Sequence, residues 1–282
     1  MKNKGIVAIN KPANWTSFDV VNKIKHMVYP QKVGHLGTLD PMATGVLLVT
    51  IGKATKLFDL MQEKTKTYVA EFEFGYETDT LDSTGKVINQ KEIKNIDKSN
   101  LVKAIQTQIG EIEQIPPKYS AKSINGKRAY DLARKDVEFE LKPKKVSVYQ
   151  IDLISFDGIK CKLKIQCGTG TYIRAIGRDI AKELNNFATM TSLVRTNVGK
   201  FSVESCQNIQ DLTVENIKIY DINEVLNYPI MHLEKLELTK ILNGQVIKTE
   251  KNDGNYVLND GDNTLAIVKV DKNFAKMSIF LG

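Results

Sequence analysis

Gly34-His35-Leu36-Gly37-Thr38-Leu39-Asp40-Pro41-Met42-Ala43-Thr44-Gly45 runs directly into Val46-Leu47-Leu48-Val49-Thr50-Ile51. Three glycines and one proline among the first twelve residues argue for a loop. Glycine leaves the backbone free, and Pro41 pushes the residue before it, Asp40, into an extended conformation. The apolar run that follows is short and β-branched, as in a fully buried strand. A lone carboxylate is thereby fixed on a tight loop anchored to a rigid core, an arrangement suited to catalysis. A surface Asp-Pro turn accounts for the same residues.

Working outward, the opening reads as a strand over 5–10, a turn over 11–15 and a helix over 17–29. Thr16 with Asp19 has the form of a capping box, and Phe18, Val21, Ile24, Met27 and Val28 recur at helical spacing. Strands are expected over 45–51, 68–76 and 86–93, the 65–74 stretch alternating between faces like a half-buried antiparallel strand. A helix over 98–108 ends near Gly110. Strands over 145–156 and 159–167 are joined by Asp157-Gly158, a dipeptide suited to a tight hairpin. Gly168-Thr169-Gly170 then enters a helix over 172–184. That turn lacks both the third glycine of a dinucleotide fingerprint and the Gly-Lys-Ser/Thr of a P-loop, so no nucleotide cofactor is indicated. Residues 220–229 read as a connection. The stretch 236–282 reads as short strands broken by Asn243-Gly244, Asp253-Gly254 and Asp260-Gly261, a small β module. The fold class is α/β: a mixed, largely antiparallel sheet with flanking helices, followed by that β tail.

Composition sets further bounds. A chain of 282 residues can bury a large core and hold one large or two unequal domains. Its net charge of +7 fits a polyanionic partner. No apolar run approaches membrane-spanning length, and the first ten residues are too strand-like for a signal peptide, so a cytoplasmic location is expected. Three cysteines without a Cys-x-x-Cys pair suggest neither a disulfide framework nor a zinc site. Cys161, Leu163, Ile165 and Cys167 alternate with polar residues, which puts both thiols on the apolar face of one strand. His26, His35 and His232 lack metal-motif spacing, and no metal is expected.

Blocks distributed in order along the chain resemble the TruB-type tRNA pseudouridine-55 synthases. Lys11-Pro12-Ala13-Asn14-Trp15-Thr16-Ser17 is similar to that family's Lys-Pro-x-Gly-x-Thr-Ser opening, and the Asp40 loop to its Gly-His-x-Gly-x-Leu-Asp-Pro-x-Ala-Thr-Gly. Further blocks are Lys66-Thr67-Tyr68, the 75–85 stretch from Gly75 to Gly85, Ile115-Pro116-Pro117-Lys118-Tyr119-Ser120-Ala121, Gly170-Thr171-Tyr172-Ile173-Arg174 and Leu193-Val194-Arg195-Thr196. Asn14 stands where the family has glycine, and asparagine tolerates the left-handed backbone such a turn needs.

The resemblance implies a sheet of the pseudouridine synthase type over 1–229, with an RNA-clamping thumb at about 115–145, and a small PUA-like RNA-binding domain over 230–282. It implies isomerisation of uridine 55 in the T-arm loop of tRNA, without a cofactor. The bond from C1′ to N1 breaks, the base turns, and C1′ rejoins at C5; an ionised carboxylate can add covalently or assist elimination. Asp40 takes that role by resemblance, Arg174 pairs with it, and Tyr68 stacks on the target base. His35 fits the space vacated by a flipped nucleotide, and Leu193 forms a wall of the uracil pocket. Lys11 and Tyr172, from matching blocks, join the substrate-binding set. Between Lys118 and Lys145, Lys122, Lys127, Arg128 and other cations mix with Tyr119 and Tyr130, a composition that grips phosphates and stacks on splayed bases. The partner is the tRNA T-arm stem-loop, and the chain is expected to act as a monomer away from any membrane. A tRNA-folding chaperone and a small-molecule enzyme with an incidental basic surface are the rival readings.

Overall fold

The computed structural model describes residues 3–62, 65–94, 96–120, 123–124, 127–133, 137, 139–261 and 263–282. The chain divides into two units: Met1–Asp40, Leu47–Glu63 and Glu204–Gly282 form one, and Pro41–Val46 with Lys64–Val203 form the other.

The second unit is organised around the strand Lys66–Phe74. Its alternation is the one expected: Tyr68, Ala70, Phe72 and Phe74 are buried, while Val69, Glu71 and Glu73 reach a partly open face. It pairs antiparallel with Lys160–Cys167 on one side and Ala188–Val198 on the other. Beyond Lys160–Cys167 the sheet continues antiparallel through Lys144–Phe156 to Gly110–Gln114. The start of Thr44–Ile51 adds a parallel strand to Ala188–Val198, with Val194 opposite Thr44 and Arg195 opposite Gly45. Gly45 is required there: its φ is +103°, and a Cβ would stand 2.2 Å from the Arg195 carbonyl oxygen. The helix Ile173–Glu183 lies against the buried face, close enough that a Cβ on Gly177 would stand 2.2 Å from the Phe72 ring. Cys161 and Cys167 sit in this core, where burial pushes their thiols up to about 12 and about 11, so they are packing groups and not nucleophiles.

In the first unit, Gly5–Lys11 carries Ile6, Val7, Ala8 and Ile9 with essentially no exposure and pairs in parallel with Gln207–Asn208. Val33–His35 runs antiparallel to the end of Thr44–Ile51. The helix Ser17–Met27 starts with the expected capping box between Thr16 and Asp19, and Asn14 takes the left-handed conformation, at φ +63°. The C-terminal module is an antiparallel four-stranded sheet in the order Ile247–Lys248, Phe274–Phe280, Asn263–Asp271, Gly254–Asp260. It has its own core of Met231, Ile241, Tyr256, Leu258, Val268 and neighbours. It belongs to the same unit as the N-terminal segment, whose Lys4 Nζ reaches the Thr264 and Leu281 carbonyls at 2.7 and 2.8 Å. Two stretches differ from expectation. Residues 220–229, read as a connection, contain the helix Ile222–Leu226 with an Asp221/Glu224 capping box. Lys235–Leu242, read as strand, is a helix with a Glu234/Glu237 capping box. Leu238, Ile241 and Leu242 form a short apolar face at helical spacing, with Ile241 buried and the two leucines partly buried against the module's core; two turns make too brief a periodicity to stand out beside the turn dipeptides that follow.

Candidate active site

Asp40 is half-buried on the 36–43 loop between Val33–His35 and Thr44–Ile51. The residue before it is clamped. Ser17, the first residue of its helix and 3% exposed, donates to the Leu39 carbonyl at 3.2 Å and accepts from the Leu39 N–H at 2.9 Å. At the loop's entry Leu36 N–H bonds the Leu48 carbonyl at 2.8 Å, and Gly37 has φ +96°. The Thr16-Ser17 pair therefore does two jobs: Thr16 caps the helix, and Ser17 fixes the backbone that carries Asp40. The clamp was not apparent in the sequence.

Arg174 occupies the first turn of Ile173–Glu183 and is 7% exposed. Its guanidinium bonds the Thr80 carbonyl through Nη1 at 2.8 Å and the Tyr119 carbonyl through Nη2 at 3.0 Å, and Nη1 lies 3.4 Å from Asp82 Oδ2. Asp82 is itself buried at 4% exposure, its other oxygen accepting from Thr80 Oγ at 2.8 Å and Thr84 N–H at 3.0 Å. A carboxylate held this way cannot rotate, and the planar fork opposite it is fixed in turn. The turn into the helix is secured by Gln114, 1% exposed, whose side-chain amide accepts from Tyr172 N–H at 2.8 Å and donates to the Tyr172 carbonyl at 3.2 Å. Asp82 and Gln114 are the supports that sequence reading missed. Asp82 lay within a matching block, but nothing in one sequence links it to a residue 92 positions away.

Tyr68 is 7% exposed and stands in a cross-strand row between Ile165 and Arg195. Leu193, 6% exposed, pairs with Ala70 on the same face of the sheet, diagonal to Tyr68. The second unit thus brings a tyrosine ring, a leucine and the Arg174 helix to one side of its sheet. Lys66, two residues before Tyr68, is also buried, with Nζ 2.8 Å from Thr169 Oγ.

The other expected residues fall in both units. His35 lies in the first unit opposite Val49. Lys11 is fully buried, its ammonium bonded to the Pro12 and Trp15 carbonyls at 2.9 and 2.6 Å, so it ties the 11–16 loop together. Tyr172 is half-buried as the N-cap of the Arg174 helix. Lys127 and Arg128 form a two-residue strand paired with Ser123–Ile124, and Lys122 lies outside the described residues. Among the described residues no helix is long and apolar enough to cross a membrane.

Residues 25–173 match the family described as TruB family pseudouridylate synthase (N terminal domain). The tRNA pseudouridine synthase B of Clostridium kluyveri is 43% identical over 249 residues, spanning 87% of this chain and 86% of that one. Its counterpart from Caldanaerobacter subterraneus subsp. tengcongensis is 39% identical over 264 residues and 93% of each chain. Among solved structures, a Cbf5-Nop10-Gar1 complex is similar with a TM-score of 0.71 over 99% of this chain and 84% of the compared chain; at 22% identity this speaks to the fold alone. A mixed, mainly antiparallel sheet, a separate small C-terminal β sheet and relatives at this identity agree, and the chain belongs to the TruB family of pseudouridylate synthases.

Proposed function

We propose that this protein isomerises uridine 55 in the T-arm loop of tRNA to pseudouridine, with Asp40 as the catalytic carboxylate. The observation that carries the reading is the match, over nearly the whole chain, to relatives named for tRNA pseudouridine synthesis. Supporting it, a base-sized ring, an apolar wall and a fixed guanidinium occupy one side of one sheet, as Tyr68, Leu193 and Arg174. In this reading Tyr68 stacks on the uracil, Leu193 walls its pocket, and Arg174 serves the same reaction as the cation that keeps a carboxylate ionised. As C1′ leaves N1 and joins C5, the proton displaced from C5 must depart and N1 must gain one. Asp40 supplies the negative group at the sugar during that exchange.

His35 would fill the space of the flipped nucleotide. Lys11 contributes through the loop that its ammonium ties, and Tyr172 through the turn that Gln114 holds. The thumb at about 115–145, with Lys122, Lys127 and Arg128, would grip the phosphates, and a PUA-like domain over 230–282 would add RNA contacts to a catalytic part over 1–229. No metal or cofactor is required, and the protein would act as a cytoplasmic monomer.

Asp40→Asn tests the assignment. The amide keeps the shape and loses the negative oxygen, so pseudouridine formation on unmodified tRNA should fall by at least roughly 10³-fold while tRNA affinity holds. Near-normal turnover by that variant would remove Asp40 from the chemistry.

A further inference from the structure

Ser120 belongs to the same 115–120 stretch that gives the Tyr119 carbonyl to Arg174. It is 4% exposed. Its backbone is satisfied at both ends, the N–H donating to the Lys118 carbonyl and the carbonyl accepting from Tyr130 N–H, each at 3.1 Å. Its Oγ, by contrast, has no hydrogen-bond partner among the described residues. A buried hydroxyl left unpaired is a standing cost to the folded state, and alanine would occupy the space without it. The preceding residue is anchored twice: the Tyr119 carbonyl lies 3.0 Å from Arg174 Nη2, and the Tyr119 hydroxyl lies 3.4 Å from Asp79 Oδ2. The hydroxyl therefore sits one residue after the carbonyl that Arg174 bonds, on a residue whose own backbone is hydrogen-bonded through both N–H and carbonyl.

We propose that the Ser120 hydroxyl is a substrate contact, donating its hydrogen bond to an acceptor oxygen of the RNA nucleotide bound beside Arg174. The inference rests on the tRNA reading above. An unsatisfied donor in the free protein that becomes satisfied on binding converts a cost in one state into a preference for the other, and such compromises gather at functional sites. Serine suits the task because a hydroxyl rotates to meet its acceptor, and a small side chain leaves room for the nucleotide.

The test compares wild type, Ser120→Ala and Ser120→Thr in three measurements: Tm of the free protein, Kd for a T-arm stem-loop RNA, and pseudouridine formed on that RNA. Ser120→Ala should melt at or above the wild-type temperature yet bind the RNA about 5- to 10-fold more weakly, the size of one lost hydrogen bond. Ser120→Thr, which keeps the hydroxyl, should recover most of that affinity. A Tm several degrees lower in Ser120→Ala would make the hydroxyl a structural group and overturn the proposal. Unchanged affinity in Ser120→Ala, or a loss that threonine fails to repair, would overturn it equally. Failure of the wild type to form pseudouridine while still binding the stem-loop would sink the functional reading and leave the Ser120 contact to be judged on Kd.

Discussion

Two cations are buried beside the turn at 168–172, and the second unit treats them in opposite ways. Arg174 faces the Asp82 carboxylate and two backbone carbonyls, so its charge is met by fixed negative ends on several sides. Lys66 donates to the Thr169 hydroxyl, a neutral partner, and lies within range of the buried Arg195. Burial first, and then the Arg195 guanidinium, bring the Lys66 ammonium down from the usual 10.5 to about 8, with Cys167 opposing weakly. Arginine cannot release its proton under these conditions, and a lysine can. One site is thus a permanent charge with a set direction, the other a charge that depends on pH. The first is the property needed by a group that keeps a carboxylate ionised through a reaction.

The sharpest way to break the contrast is to give Arg174 the poorer surroundings. Asp82→Ala removes the carboxylate while the Thr80 and Tyr119 carbonyls stay in place, which should cost about 3–5 kcal/mol of stability, as removal of one partner from a buried ion pair does. Urea denaturation at neutral pH reads this directly. A loss below about 1 kcal/mol would mean that Arg174 is held without the carboxylate, and that Asp82 serves something other than holding it.

Arg174→Lys sharpens it from the other side by placing a lysine where the arginine is well partnered. The charge remains, but a single ammonium cannot span Thr80, Asp82 and Tyr119 as the planar fork does. Pseudouridine formation should fall by about 10²-fold, roughly 3 kcal/mol in the barrier, with tRNA affinity within a few-fold of wild type. Equal losses in turnover and affinity would place Arg174 on the RNA backbone instead.

How much of this was legible depended on whether a residue's environment is local. The Lys66–Phe74 strand was readable because its buried and open faces alternate from Tyr68 onward, and the Thr44–Ile51 strand because it is buried on both faces. Ala188–Val198 escaped notice although it pairs with both. Ala188, Thr189 and Met190 are buried in succession, and register shifts at Met190/Ser192 and Arg195/Asn197 break the phase. Its buried Arg195 and Thr189 look like surface residues until Val46 O and Tyr76 O are seen to accept from them, at 2.7 and 3.0 Å. Among the proposed site residues, Asp40 was singled out by the resemblance of its loop, since glycine and proline punctuation alone fits a surface turn as well. Asp82, Gln114 and Ser17 act through partners 92, 58 and 22 positions away, and no local pattern reports a hydrogen bond across such gaps.

The smallest effect concerns Lys66 and distinguishes burial from function. Its proton is held less tightly in the folded protein, at about 8, than in the unfolded chain, at its ordinary 10.5. Between those values the unfolded state binds more protons than the folded one, so the contribution of this group to stability rises with pH across that window. Below about 8 the ammonium is a net cost. Lys66→Met, similar in length and uncharged, removes that cost, and at pH 7 the variant should be more stable than wild type by about 1 kcal/mol, part of the gain being offset by the Thr169 hydroxyl losing its donor. Repeating the denaturation at pH 9.5 should shrink the gap, because the wild type has by then shed most of the charge. A gap that stays constant across this range would show that the Lys66 ammonium is better compensated than its burial implies, and the two cations would then differ in geometry alone.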